Sequence, residues 1–351
     1  MGRKFLLAGR GGLNLTHSEP LERFLGRYGP AQEALTPAIR SFAPDALRDW
    51  CHGLGQETFV GSSGRVFPRT FKASPLLRAW LRRLAALGVT FRPAHRWLGW
   101  GVDGALRFST PAGEVEVRPR ATLLALGGAS WPRMGSDGGW VDILRGRGVA
   151  VSALRPANGG VSCGWSDVFR ARFAGEPLKR IAISLADVTV RGEAVITADG
   201  LEGGAIYALS REIRAALDRD GVAELVIDLR PDLDRMAVRQ LMGGSGVSRA
   251  NAFRRAGLSP AASGLVREVR GEPKRALVRV TGLRPIERAI SSAGGVALSE
   301  IDAAFMFRQV PGTFVAGEML DWEAPTGGYL LQGCFSTEMA AAAGMADALR
   351  A

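Results

Sequence analysis

The stretch Thr313-Phe314-Val315-Ala316-Gly317-Glu318-Met319-Leu320-Asp321-Trp322-Glu323-Ala324-Pro325-Thr326-Gly327-Gly328-Tyr329-Leu330-Leu331 decides how this chain is read. Its first four residues form a short apolar run, the pattern of a strand covered on both faces. The run ends at Gly317-Glu318, passes through an acidic loop with Asp321 and reaches Thr326-Gly327-Gly328-Tyr329. An Ala-rich segment to about Leu349 then reads as a long helix. Strand, glycine turn and helix start bring unpaired N–H groups and the positive end of a helix dipole together, a combination that suits an anion or an electron-rich ring edge. Glu318 and Asp321 suit hydrogen bonding to sugar hydroxyls. Capping and solvation of the loop is the competing reading of both carboxylates.

Two other segments share this texture. Ala121-Thr122-Leu123-Leu124-Ala125-Leu126 is a continuous apolar run, expected as a buried parallel strand, and it ends in Gly127-Gly128-Ala129-Ser130. Residues 1–20 read as a glycine-rich loop. Together the three segments suit one extended cofactor with polar ends, held at the carboxyl ends of strands in an open α/β sheet; a tight turn between packed elements is the competing reading of any one of them.

Between them, Ser74–Leu87 reads as a helix, with Ser74 as its cap, Pro75 in its first turn and Gly88 after its end. Leu77, Trp80, Leu81 and Leu84 make its apolar face. Arg96–Trp100, Ala105–Ser109 and Glu114–Val117 read as an antiparallel meander turning at Asp103-Gly104 and Pro111-Ala112-Gly113. A short helix near 138–146 precedes a strand near Val149–Leu154. The middle, roughly 156–285, changes character. Ile181–Val190, Ala194–Thr197 and Leu277–Thr281 look like strands, and Ser210–Leu217, Met236–Met242 and Arg249–Ala256 look helical. This middle reads as an inserted, substrate-side region.

Composition narrows the function. The chain has 351 residues, 46% of them hydrophobic, enough for more than one domain and a sizeable core. Its 46 glycines are about 13% of the chain, against a usual ~7%. The formal net charge is +11, yet only Lys4, Lys72, Lys179 and Lys274 are lysine and the arginines are scattered. Without a basic tail or aromatic-basic motif, no nucleic-acid partner is expected. No apolar run reaches the ~18 residues of a membrane span, and no membrane partner is expected. Cys51, Cys163 and Cys334 form no CxxC pair, and His17, His52 and His95 form no metal motif, so neither a disulfide framework nor a metal site is expected. A reducing, cytoplasmic setting follows. No GxGxxG follows a strand, and no phosphate-binding P-loop or nucleophile elbow is present. The chemistry must then come from a bound cofactor.

At these segments the chain resembles the BaiN-type, or aminoacetone-oxidase-like, family of FAD-dependent oxidoreductases. The resemblance lies in Gly2-Arg3-Lys4-Phe5-Leu6-Leu7-Ala8-Gly9-Arg10-Gly11-Gly12-Leu13-Asn14-Leu15-Thr16, Gly64-Arg65-Val66-Phe67-Pro68 with Lys72-Ala73-Ser74, Leu126-Gly127-Gly128-Ala129-Ser130-Trp131-Pro132, Gly200-Leu201-Glu202-Gly203, Ser292-Ala293-Gly294-Gly295-Val296, and Ala316-Gly317-Glu318 through Asp321 to Gln332. These blocks keep family order across nearly the whole chain.

The resemblance implies an α/β, Rossmann-like FAD-binding domain of the glutathione-reductase type. Its first part would be residues 1–155, with the meander at 95–118, and its second part residues 286–351. Residues 156–285 would be an inserted small β-barrel with a helical insert at about 206–270. The resemblance also implies roles. Arg3, Lys4, Gly11, Gly12, Asn14 and Thr16 would lie along the FAD, and Gly127-Gly128 would let the chain pass close to it. Gly317, Glu318 and Asp321 would address the ribityl and pyrophosphate region. Gly327, Gly328, Tyr329 and Leu330 would face the pyrimidine edge of the flavin. Tyr329, His17 and Arg10 are the candidate acid or base groups, each with a structural role as its competing reading.

Hydride exchange between flavin N5 and a small organic substrate is the expected activity. NAD(P)H, oxygen or another acceptor would serve the other half-reaction. A flavoprotein scaffold that binds without turnover is the alternative. In the family, a βαβ unit carrying GxGxxG precedes the Gly2-Arg3-Lys4 block. Here Met1 falls directly before that block, so the domain is expected to be N-terminally truncated. A start assigned too late and a true loss of the unit are the two explanations.

Overall fold

The computed structural model describes residues 2–9, 11–243 and 246–350. The chain forms two compact units, Met1–Arg155 with Ser291–Ala351, and Pro156–Ile290.

The first unit opens with a helix, Arg3–Ala8, where the sequence points to a loop. Six residues between glycines carry too little periodicity to announce a helix, and so short a helix depends on packing for its stability. That packing is visible: Phe5 meets Trp80 edge-on at 6.4 Å. A Cβ on Gly9 would lie 2.7 Å from the Ala73 Cβ. Strands β1 (Thr16–His17), β2 (Thr58–Val60) and β3 (Arg65–Pro68) make a small sheet in the order β1-β3-β2, antiparallel at both junctions. Helices Gln32–Ser41 and Pro44–Gly53, unmarked in the sequence reading, bring Leu35, Ile39, Leu47 and Cys51 into the core.

The next helix is Ala73–Ala86, so Ser74 sits inside it. Its cap residue is Lys72, which makes no side-chain capping bond. Leu76 and Leu77 are buried while Trp80, Leu81 and Leu84 are half-buried, so the covered face is turned toward the start of the helix. Strands β4 (Arg96–Trp100), β5 (Leu106–Thr110) and β6 (Gly113–Val117) form the expected antiparallel meander. All five positions of β6 are exposed, because it is an edge strand rather than a half-covered one. Strand β7 (Thr122–Leu124) follows, then the helix Val141–Arg145 and strand β8 (Val151–Ala157).

The second unit is a closed barrel of six strands. They are β9 (Val161–Cys163), β10 (Pro177–Leu185), β11 (Val188–Ile196), β12 (Gly200–Glu202), β13 (Ala223–Asp228) and β14 (Ala276–Leu283), joined in the order β10-β11-β12-β9-β14-β13. The sequence reads Ile181–Val190 as one strand; it is instead the tip of the β10–β11 hairpin, with Leu185 opposite Val188. The turn escaped notice because Ala186, not glycine, takes the left-handed backbone, at φ 49. Strand β13 lies within the stretch read as a helical insert. There it divides the helix Ser210–Asp220 from Arg235–Met242, Arg249–Arg255 and Pro260–Glu268. Alternation along β13 and β14 sends Leu225, Ile227, Val278 and Val280 into the barrel core.

The chain returns to the first unit through β15 (Ser291–Val296), which pairs with β8, and β16 (Thr313–Val315). β16 runs parallel to β7, with Thr122 opposite Thr313 and Leu124 opposite Val315. The parallel expectation for this apolar run therefore holds. Its full burial does not: β16 is covered throughout, but Thr122 and Leu123 are half-exposed. Among the described residues β16 is the only strand partner of β7. The helix Tyr329–Arg350 closes the unit.

Candidate functional site

Sequence-distant segments of the first unit converge on one carboxylate. Lys4 places Nζ 2.6 Å from Glu318 Oε2 and 3.3 Å from Ser136 Oγ. Glu318 Oε1 accepts from the Ser292 backbone N–H at 2.8 Å, and the Gly128 N–H reaches Oε2 at 3.4 Å. The Ser292 hydroxyl accepts from the Ala129 N–H at 2.8 Å, and the Ser136 hydroxyl donates to the Gly128 carbonyl at 3.0 Å. A Cβ on Gly128 would stand 2.3 Å from Ser292 Oγ, so only glycine lets these elements close up. Gly127 takes φ 74, again a glycine conformation. Glu318 is thus a clamp between segments, with three donors on its two oxygens. Asp321 is drawn elsewhere: its Oδ2 accepts from the Ser152 hydroxyl at 2.6 Å.

A second cluster forms where the Tyr329–Arg350 helix begins. Gly327 and Gly328 have φ of 125 and 105. A Cβ on Gly328 would lie 2.4 Å from the Thr16 carbonyl oxygen, so β1 and the helix start touch backbone to backbone. Tyr329 is buried and donates its hydroxyl to Glu19 Oε1 at 2.6 Å. Arg27 grips Glu19 with two bonds, of 2.9 and 2.7 Å. His17 stacks on Tyr329 with ring centroids 5.3 Å apart and planes at 17°. Its Nδ1 lies 3.1 Å from the Glu19 N–H and its Nε2 3.0 Å from the Ser63 carbonyl. The neutral tautomer with hydrogen on Nε2 satisfies both contacts. The Arg27 hydrogen bond holds the Glu19 carboxyl below its usual range. Burial, reinforced by the Glu19 acceptor, pushes the Tyr329 hydroxyl well up. At neutral pH this is a neutral phenol held on a carboxylate, a group that can keep a proton at a defined point.

Tyr329 and His17 are therefore brought together, while Arg10 lies outside the described residues. Glu19 and Arg27 went unnoticed in the sequence, where nothing but proximity to His17 marks them. Ser136 and Ser292 were missed as site groups for the same reason: isolated serines carry no spacing signal.

The third feature is a set of buried polar atoms without hydrogen-bond partners among the described residues. These include Asn14 Oδ1, Thr16 Oγ1 and Ser130 Oγ. Thr16 and Ser130 are fully buried. Buried hydroxyls and amides are normally paired, and each of these lies in one of the converging segments. They fit a cofactor rich in polar atoms. Gly11 has open space where a side chain would stand, and Gly12, at φ 104, lies against Phe67 and Phe71. Arg3 is near Gly135, and Leu330 is half-buried.

Behind Gly317, Glu338 Oε1 would lie 3.4 Å from a Cβ at that glycine and Cys334 Sγ 3.7 Å away. Burial pushes the Glu338 carboxyl up to about 7. Among the described residues, no hydrogen bond or ion pair reaches it. No group of three or more His, Cys, Asp or Glu there could hold a metal ion, and no helix there is long and apolar enough to cross a membrane.

The family model for the HI0933-like protein Rossmann domain matches residues 1–344. The 3-dehydro-bile acid delta(4,6)-reductase of Clostridium scindens is 24% identical over 374 residues, covering 96% of this chain and 88% of that protein. Among solved structures, the open conformation of a flavocytochrome c3 fumarate reductase aligns at a TM-score of 0.49 and 14% identity, over 95% of this chain and 68% of that one. A 3-ketosteroid delta1-dehydrogenase from Sterolibacterium denitrificans aligns at 0.40 and 11%, over 81% and 64%. By its family match this chain belongs to the HI0933-like proteins, the BaiN-type FAD-dependent oxidoreductases, and its cofactor is FAD.

Proposed function

We propose that the protein exchanges a hydride with a small organic substrate at the first unit, drawing electrons from NAD(P)H. One observation carries the reading: Lys4, Gly128 and Ser292 meet on Glu318 within the same unit whose Gly327-Gly328 turn rests on Thr16. FAD, when bound, supplies the hydride chemistry at N5. The chain supplies the rest. Asn14, Thr16 and Ser130 offer unpartnered polar atoms to it, and Arg3 offers positive charge for its phosphates. Backbone N–H groups of Gly328, Tyr329 and Leu330, at the positive end of a 22-residue helix, favour negative charge at the pyrimidine edge. The Tyr329 hydroxyl holds a proton there, Glu19 and Arg27 orient it, and stacked His17 limits its motion.

The test begins with the full chain and saturating FAD. Stoichiometric flavin absorbance near 450 nm after gel filtration is expected, followed by anaerobic bleaching on addition of NADPH or NADH. A colourless protein defeats the flavin assignment. Bound flavin that neither nucleotide reduces defeats the donor assignment.

A further inference from the structure

Strand β3 has two faces. Val66 and Pro68 point into the core, and Arg65 and Phe67 point the other way. Phe67 sits opposite Phe59 in register, with the rings stacked at 5.7 Å and 24°. Phe71 meets Phe59 edge-on at 4.9 Å and leans on Phe67 at 5.2 Å. This aromatic wall abuts the glycine loop: a Cβ on Gly12 would lie 3.1 Å from Phe71 and 3.2 Å from Phe67.

Two features are out of keeping with a purely structural cluster. Phe71 holds φ 59, a region an aromatic residue enters only against steric cost, and the residue is 49% exposed. Backbone bonds fix it there, from the Phe71 N–H to the Pro68 carbonyl at 2.8 Å and from the Leu13 N–H to the Phe71 carbonyl at 2.9 Å. Arg65 is half-buried, and its guanidinium has no hydrogen-bonding or ionic partner among the described residues. Its Nε lies 3.7 Å from where a Cβ on Gly327 would stand, beside the start of the Tyr329–Arg350 helix. An unpaired guanidinium on a half-buried residue and a helix N-terminus at one end of an aromatic wall both call for negative charge.

We infer that Phe59, Phe67 and Phe71 form the binding wall for a flat, apolar, ring-bearing substrate, and that Arg65 receives its anionic or carbonyl oxygen. The inference rests on the proposal that FAD lies along Gly12 and Gly327-Gly328. Apolar rings then stack on phenyl faces within reach of the cofactor, while the polar end of the substrate is held at Arg65.

Two fluorescent probes of the same ring size test this on the full chain: anionic 1-anilinonaphthalene-8-sulfonate and neutral N-phenyl-1-naphthylamine. Saturable binding of one equivalent of each is expected. Phe67→Ala and Phe71→Ala should each weaken both probes by about tenfold, and a tenfold change is about 1.4 kcal/mol. Arg65→Gln should weaken the anionic probe by roughly fivefold or more and leave the neutral one within about twofold. Phe67→Leu keeps the packing if the alanine variant unfolds, and should still weaken both probes. Unchanged binding in the phenylalanine variants overturns the inference, as does an equal effect of Arg65→Gln on both probes. Flavin retention is read separately at 450 nm. A wild type without flavin that binds the probes at this wall leaves the inference standing and removes the FAD placement. A Phe67→Leu protein that loses flavin but keeps the probes assigns the wall to the cofactor and overturns it.

Discussion

Lys4 Nζ and Glu318 Oε2 meet at 2.6 Å across 314 residues of sequence. The pair joins the Arg3–Ala8 helix to the turn after β16, and Gly128 and Ser292 attach to the same carboxylate. Both side chains are largely shielded from solvent, so the charges depend on each other more than a surface pair would.

Lys4→Met is therefore expected to destabilise the first unit by about 1–3 kcal/mol, because the Glu318 carboxylate is left partly buried without its cation. Adding Glu318→Gln should recover part of the loss. Urea unfolding of the two single variants and the double variant measures the coupling, and a coupling near zero would show that the pair does not act as a clamp.

Gly328→Ala should be far more damaging. The added Cβ would meet the Thr16 carbonyl at 2.4 Å, and φ 105 is itself hostile to a side chain. A loss of about 3 kcal/mol or more is expected, from strain and displaced backbone together. Gly204→Ala is the control: nothing lies within 4 Å of its Cβ, and it stands in a helix, where alanine gains up to about 1 kcal/mol. Thermal melting of both proteins checks the contrast.

Tyr329→Phe removes one bond to Glu19 and leaves the Arg27 pair in place, so a loss of about 1 kcal/mol is expected. Arg27→Gln acts through pH. The Glu19 carboxyl titrates below its usual range in the folded protein, first because of its bond from Arg27. The stability it contributes is present above the ordinary carboxylate range and is lost as pH falls through the lowered folded value. Replacing Arg27 should move the acid unfolding midpoint to higher pH. An unchanged acid limb would show that Arg27 does not set the Glu19 charge.

Glu338 has the opposite sign. Burial raises its carboxyl to about 7 from an ordinary 4.5. Its contribution is fully present below the unfolded value, falls as pH rises toward about 7, and is flat above that. A shift of this size corresponds to at most about 3 kcal/mol. Glu338→Gln should remove the decline and leave the protein more stable than wild type at alkaline pH. Urea midpoints on either side of the transition decide it.

Burial raises the thiols of Cys51 and Cys163 to about 12 and that of Cys334 well above its ordinary value. The folded protein should react slowly with Ellman's reagent near neutral pH, and all three thiols should appear on unfolding in urea. A rapidly reacting thiol in the native protein would contradict the burial described for these positions.

The parts legible beforehand are those with local causes. The meander announces itself by turn residues between alternating runs, and the Tyr329–Arg350 helix by its length and the glycines before it. That Ala121–Leu126 and Thr313–Ala316 are short strands of a parallel kind follows from two apolar runs that lead into glycine; that they pair with each other came from the structure. The misses are equally physical. Arg3–Ala8 is too short to show a period, Ala186 turns without glycine, and β13 sits among helices. Glu19, Arg27, Ser136 and Ser292 carry no spacing that distinguishes them from surface residues.

Sequence alone determined the turns that glycine marks and the apolar runs that become strands, because left-handed φ and apolar periodicity are demands each segment makes on itself. Tertiary structure alone decided that Glu318 serves Lys4, Gly128 and Ser292, that Tyr329 rests on Glu19, and that Arg65 stands beside Gly327. Those partnerships join residues whose separation along the chain carries no information about their distance in space. They arise only when burial of the shared core brings the segments together, and only then does each charge find, or fail to find, its counterpart.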